Sequence, residues 1–196
     1  MRTIWIILMI ILLVIMNASA ADVPWYVISL VGMEVGPTGA QFGYSDPADT
    51  RYCSRFNGTE IVQHCVETKS EYLVMWVRDG NYAYYNSKLL PKAPGLGDRD
   101  PLRETVEEAA SKGMPVIAYC VVQQGGHFLK EHPEFEMRDV NGAPIGRFCY
   151  NSGYLDAMKG IVAEQLAYDI AGFHIDMLDQ GFGPPYGCWC DVCRAQ

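Results

Sequence analysis

The chain has 196 residues, 49% of them hydrophobic, with 15 basic and 23 acidic side chains and a net charge of −8. That length supports one domain with a real core, and the acidic balance argues against nucleic acid or anionic membranes as partners. Twelve tyrosines and four tryptophans are plentiful, and aromatic faces suit sugar rings as well as core packing.

The first segment is set apart by composition. Arg2 is its only charge, residues 4–16 are an unbroken apolar run, and Ala18-x-Ala20 follows. This reads as a signal peptide over residues 1–21, which implies a secreted or periplasmic protein with no stable membrane span after cleavage. The alternative, an uncleaved anchor, is disfavoured because a span needs about 20 apolar residues. Removing Arg2 leaves 14 basic against 23 acidic side chains and takes the net charge to −9. Residues 22–196 then form a single domain, and nothing in them excludes a homo-oligomer.

Strand and helix signals alternate along that domain. Residues 25–31 are β-rich and predict a first strand, with a long loop over 32–50. A short helix is expected over 60–68 and a strand buried on both faces over 72–77. The next helix is marked by Asp100 as cap and Pro101 at its first position, with Leu102, Val106, Ala109 and Ala110 on one side and Gly113 at its end. Residues 116–122 are a third strand, and 123–149 read as a long loop. Asn151 or Ser152 opens a helix with Leu155, Met158, Val162 and Leu166 on one face, and 173–178 are the fourth strand.

Buried strands alternating with helices predict an α/β fold with a parallel sheet and right-handed crossovers. Four such units are half of a (β/α)8 TIM barrel, which usually needs about 250 residues. The expectation is therefore a barrel truncated after about four units, with a small open α/β sheet as the alternative. In such folds the carboxyl ends of the strands carry the site. Arg78, Asp79, Gln123, Gln124, Asp176 and Asp179 fall there.

Seven cysteines are present. Cys188, Cys190 and Cys193 form a C-x-C-x-x-C run, and Cys149 lies upstream beyond the fourth strand. Four thiolates suit one structural zinc ion. Cys120 reads as a buried thiol in its strand, and pairing of Cys53 with Cys65 is left open. A redox role for Cys190 and Cys193 is disfavoured, since redox pairs open a helix soon after an early strand. Asn57-Gly58-Thr59 is a glycosylation sequon without further meaning here.

With these residues in view, the chain resembles the (β/α)8 glycoside hydrolases, and most closely the hypothetical glycosyl hydrolase 6 family. The resemblance lies in Gly80-Asn81-Tyr82-Ala83-Tyr84-Tyr85-Asn86-Ser87-Lys88, Pro94-Gly95-Leu96 and Asp100. Arg78-Asp79-Gly80 and Ser87-Lys88 are similar to a stretch of the family 29 α-L-fucosidases, although the histidine pair of that family is missing. Residues 147–152 and 188–193 resemble the family 42 β-galactosidases, where matching cysteines hold structural zinc. The Asn-Glu acid/base of those β-galactosidases is absent, because Met177-Leu178 stands in its place. The resemblance to fucosidases implies that Asp176 occupies the position of a nucleophile.

These readings together point to a glycoside hydrolase, EC 3.2.1.-, acting on a carbohydrate substrate through a pair of carboxylates. Asp176 is the expected catalytic residue, and its partner is expected beyond Gln196, so the 196-residue chain alone is expected to be inactive. Arg78, Asp79, Tyr84, His174 and Asp179 are candidates for substrate binding. His174 shares the strand face of Asp176, being two residues away. The competing reading is a carbohydrate-binding or structural α/β module whose loop is stapled by zinc and which catalyses nothing.

Overall fold

The computed structural model describes residues 23–37, 50–123, 126–176 and 187–196. The chain divides into two units, Met1–Leu30 and Val31–Gln196. In the first, the expected strand over 25–31 is not formed. Trp25–Ile28 is instead a single helical turn, α1. Pro24 sets φ at −56° and accepts from Val27 N–H at 2.8 Å, while Ser29 N–H closes on the Trp25 carbonyl at 2.9 Å. Local turn chemistry overrides the β-rich composition.

In the second unit the first strand comes later than expected, as β1, Gly32–Val35. It is followed by α2 (Gly58–Glu67), β2 (Tyr72–Arg78), α3 (Pro101–Ser111) and β3 (Val116–Val121). Then come α4 (Gly126–Glu131), β4 (Glu136–Arg138), β5 (Pro144–Phe148), α5 (Tyr154–Gln165), β6 (Gly172–Asp176) and α6 (Asp191–Arg194). Glycine opens β1 for a steric reason. A Cβ on Gly32 would stand 2.2 Å from Cζ of Tyr72, so the Tyr72 ring crosses the strand there.

The main sheet has the order β1-β2-β3-β6, with every neighbouring pair parallel. Sequential parallel strands require a crossover between each pair, and α2, α3 and α5 lie in those crossovers. The expected parallel α/β sheet is therefore present. Among the described residues it has four strands and does not close on itself. One face is packed by helices: Leu73, Met75, Val77, Ala118 and Cys120 share a core with Val62, Leu102, Val106 and Ile161. The other face carries Val74, Tyr119 and Val121, flanked by Tyr72, Trp76 and Ile117.

Caps fix the helix starts. Asn57 Oδ1 accepts from Glu60 N–H at 3.2 Å and its Nδ2 donates to Glu60 Oε1 at 3.2 Å, a reciprocal cap. The sequon asparagine is thus occupied in starting α2. Asp100 Oδ1 accepts from Arg103 N–H at 3.0 Å ahead of Pro101. Its Oδ2 also accepts from the Tyr168 hydroxyl at 2.7 Å, which ties α3 to the end of α5. Ala110, expected inside, is exposed, and Thr105 is buried in its stead.

Two further expectations are corrected. The segment expected as a loop over 123–149 contains α4 and the antiparallel β4–β5 hairpin. Asp139 Oδ1 accepts from Asn141 and Ala143 N–H at 2.8 and 2.7 Å, and Gly142 has φ +82°, so Asn141-Gly142 makes the turn. The buried stripe of α5 is Tyr154, Met158, Ile161 and Gln165, while Leu155 and Leu166 face solvent. Tyr154 sets this phase. Its ring stacks on Phe148 at 3.9 Å and 3°, and its hydroxyl donates to the Val122 carbonyl.

Candidate functional site

Asp176 ends β6, on the sheet face turned away from α2, α3 and α5. Strand alternation places His174 on the same face. Tyr119 of β3 links them: its hydroxyl donates to Asp176 Oδ2, and its ring meets His174 edge-on at 4.9 Å. On its other side Tyr119 stacks on Trp76 at 4.5 Å and 7°. Burial, and then the adjacent carboxylate, push the Tyr119 hydroxyl well above its usual range. It therefore stays protonated and remains a donor to Asp176 at neutral pH.

Glu34 of β1 completes this face and was not expected from the sequence. Its Oε1 accepts from Trp76 Nε1 at 2.9 Å, and its Oε2 lies 3.8 Å from His174 Nδ1. Reading 25–31 as the strand put Glu34 in a loop. The alternation of Met33, Glu34 and Val35 was the signal that could have found it: Met33 and Val35 pack into the helix-covered core, so Glu34 points the other way. A carboxylate, an imidazole, a phenol, an indole and a second carboxylate thus share one surface.

Three other expected site residues lie elsewhere. The β2–β3 register shifts between Trp76 and Arg78, so that Arg78 pairs with Cys120 on the helix-covered side. Arg78 is 1% exposed. Its Nε donates to the Asp79 carbonyl at 3.2 Å and its Nη1 contacts Met158 Sδ at 3.7 Å. Burial pushes the neighbouring Cys120 thiol up, partly offset by the Arg78 charge. Asp79 is buried as well and builds a turn, accepting from Asn81 and Tyr82 N–H at 2.7 and 2.6 Å. Tyr52 donates to Asp79 Oδ2 at 3.2 Å and its hydroxyl lies 2.9 Å from that of Tyr84, which is fully buried. Asp179, with Met177-Leu178, lies outside the described residues.

The cysteines sort clearly. Cys53 and Cys65 are free thiols, and Cys65 packs its sulfur against Met33. Cys149, Cys188, Cys190 and Cys193 bring their sulfurs within 4.8 Å of one another. Cys149 Sγ is 3.4 Å from Cys193 Sγ and 3.7 Å from Cys190 Sγ. Such a cluster could hold a metal ion. Tetrahedral metal–sulfur bonds of about 2.3 Å separate the sulfurs by about 3.8 Å, which these spacings fit. Second contacts are in place: Asn151 Nδ2 and Cys190 N–H each donate to a cysteine sulfur at 3.4 Å. Cys149 lies just past β5, and Trp189 N–H donates to the Arg138 carbonyl at 2.8 Å, so the cluster fastens the last loop to the hairpin.

Parallel strands in chain order with helices on one face are an arrangement shared with (β/α)8 barrels, whose sites lie at the carboxyl ends of the strands. The chain belongs to the hypothetical glycosyl hydrolase 6 family, whose sequence model matches residues 57–177. Among solved structures it is similar to α-L-fucosidase isoenzyme 2 from Paenibacillus thiaminolyticus. There the identity is 21%, the TM-score 0.59, and the match covers 72% of this chain and 23% of that one. A hypothetical protein from Ruminiclostridium thermocellum ATCC 27405 matches at 14% identity and TM-score 0.52, over 78% of both chains. An α-L-fucosidase from Vibrio sp. strain EJY3 matches at 16% identity and TM-score 0.52, over 78% of this chain and 32% of that one. At such identities the likeness is one of fold. The chain spans less than a quarter of the length of the first of these fucosidases. No curated protein matches it.

Proposed function

We propose that this chain is the N-terminal part of an exported glycosidase and that its sheet is the first half of a (β/α)8 barrel. The observation that supports this best is the Asp176 carboxylate at the end of the fourth parallel strand, held by the Tyr119 hydroxyl. In this reading Asp176 acts at the anomeric carbon, as nucleophile or as stabiliser of the charge that develops there. Tyr119 keeps one carboxylate oxygen engaged, leaving the other free for the sugar. His174 and Glu34, each roughly half exposed, offer hydrogen bonds to sugar hydroxyls, and Trp76 stiffens the face beneath them. The partner carboxylate comes from further strands, or from Glu34.

The thiolate cluster holds zinc in this reading. Four sulfur ligands leave no open position for a reactive water, so the ion's part is structural. It anchors the loop that follows the catalytic strand. The acidic 22–196 segment and the apolar N-terminal run support export to the periplasm or beyond. The substrate is a carbohydrate, and the fold similarity makes aryl α-L-fucosides a sensible first member of a test panel. The full-length protein is expected to release aryl alcohol from at least one of a panel of aryl glycosides. No release from any of them, by folded protein, would contradict the reading and favour a module that binds without catalysis.

A further inference from the structure

A second feature lies on the loops after β3 and β6. A cavity of about 430 Å3 opens between the β4–β5 hairpin and the cysteine loop. That volume is in the range of small-ligand sites. Trp189 is on its wall, 38% exposed, together with Glu134, Glu136, Arg138, Asp191 and Arg194. The indole stands between two cysteines of the cluster and is open to solvent. Its placement is fixed. Cys188 and Cys190 flank it in the cluster, and the backbone N–H of Trp189 donates to the Arg138 carbonyl. Gly187, at φ +90°, lets the chain turn beneath the ring, 3.5 Å from where a Cβ would stand.

The charged groups around the indole are largely uncommitted. Glu136 Oε1 accepts from Gly146 N–H at 2.9 Å and Glu134 Oε1 faces His132 Nδ1 at 3.1 Å. Among the described residues the guanidinium groups of Arg138 and Arg194 and the carboxylate of Asp191 have no hydrogen-bond or ion-pair partner. Donors and acceptors of both signs thus ring a flat aromatic plate, with no excess of charge that would select an anion or a cation. A neutral sugar matches this. Its apolar C–H face lies on the indole while its hydroxyls donate to carboxylates and accept from guanidinium groups.

We infer that the groove between the hairpin and the cysteine loop is a carbohydrate-binding subsite, with Trp189 as its stacking platform. The choice of ligand rests on the glycosidase reading above. The groove is lined by none of the residues that form the Asp176 face. It would hold a sugar unit of a longer chain and so favour oligosaccharides over single sugars.

The test is a printed glycan array probed with wild-type protein, Trp189→Ala, Trp189→Phe and Asp176→Asn, with aryl glycoside hydrolysis measured alongside. Wild type and Asp176→Asn should bind the same oligosaccharides. Trp189→Ala should weaken that binding by about tenfold or more, and Trp189→Phe, which keeps a ring, should restore part of it. Metal content and circular dichroism of Trp189→Ala should match wild type, which excludes collapse of the loop. Oligosaccharide binding unchanged in folded Trp189→Ala overturns the subsite and leaves the glycosidase reading intact. Failure of wild type to bind any glycan also overturns it. Loss of binding in Trp189→Ala from a protein that hydrolyses no glycoside supports the subsite while removing the glycosidase reading.

Discussion

The Tyr119 hydroxyl donates to Asp176 Oδ2 across neighbouring parallel strands, and the same ring lies flat on Trp76. The bond joins a buried, protonated phenol to a carboxylate at the strand's end, so removing the oxygen alone is an informative change. Tyr119→Phe keeps the stack with Trp76 and the edge contact with His174. A hydrogen bond to a charged group is worth about 1.5–3 kcal/mol. In the full-length protein kcat should fall by about 10- to 100-fold with little change in KM, and the melting temperature should fall by a few degrees. A variant with unaltered kcat would show that Tyr119 does not orient Asp176.

Arg78 should behave as a core residue. Its guanidinium is buried among Met158, Cys120 and the Asp79 carbonyl, on the helix-covered side of the sheet. Arg78→Ala should cost about 2–5 kcal/mol of stability by leaving a cavity. Below its melting transition the variant should keep its KM for a good aryl glycoside. A raised KM with unchanged stability would instead place the side chain in substrate binding.

Legibility of the sequence varied with the kind of signal. The strands β2 and β3 were visible because strands buried on both faces are continuous apolar runs, and β6 because Phe173 and Ile175 alternate with His174 and Asp176. The start of α3 was visible because Asp100 and Pro101 act locally. The cysteine cluster was visible because metal geometry restricts spacing. The β-bulge that turns Arg78 was not, since it depends on register with β3 and leaves no mark in composition. Glu34 was missed because a four-residue strand that opens on Gly32 and is followed by Gly36 is a weaker signal than the β-rich stretch before it. The buried face of α5 was misjudged by one residue, because Tyr154 and Gln165 point inward while Leu155 and Leu166 do not. The hairpin was announced by Asn141-Gly142, and its strands of three and five residues are too short to show a period.

The cysteine cluster should hold one zinc ion per chain by elemental analysis. Cys190→Ser should lower zinc affinity by more than about 100-fold, beyond what loss of a second-sphere contact costs. The last loop should then become more sensitive to proteases before any chemistry changes. Full zinc content in this variant would remove Cys190 from the ligand set.

Alkaline pH should unfold the protein through its tyrosines. Burial comes first among the causes that raise Tyr52, Tyr84, Tyr85, Tyr119, Tyr154 and Tyr168 above the ordinary value of 10.0. A group whose folded pKa is raised stabilises the fold fully below its unfolded pKa, and that contribution is lost as pH rises above it. Stability should therefore hold to about pH 10 and fall beyond it. Absorbance at 295 nm should rise together with the loss of far-ultraviolet dichroism. Ionisation of all these tyrosines with the fold intact would contradict their burial.

The central claim is that Asp176 does chemistry. The most direct measurement is kcat/KM of the full-length protein and its Asp176→Asn variant on the best aryl glycoside of the panel, with dichroism and zinc content matched. Asparagine keeps the shape and removes the charge, so kcat/KM should fall by about 10^3-fold or more with the fold unchanged. Turnover by the folded Asp176→Asn protein at the wild-type rate would contradict the assignment.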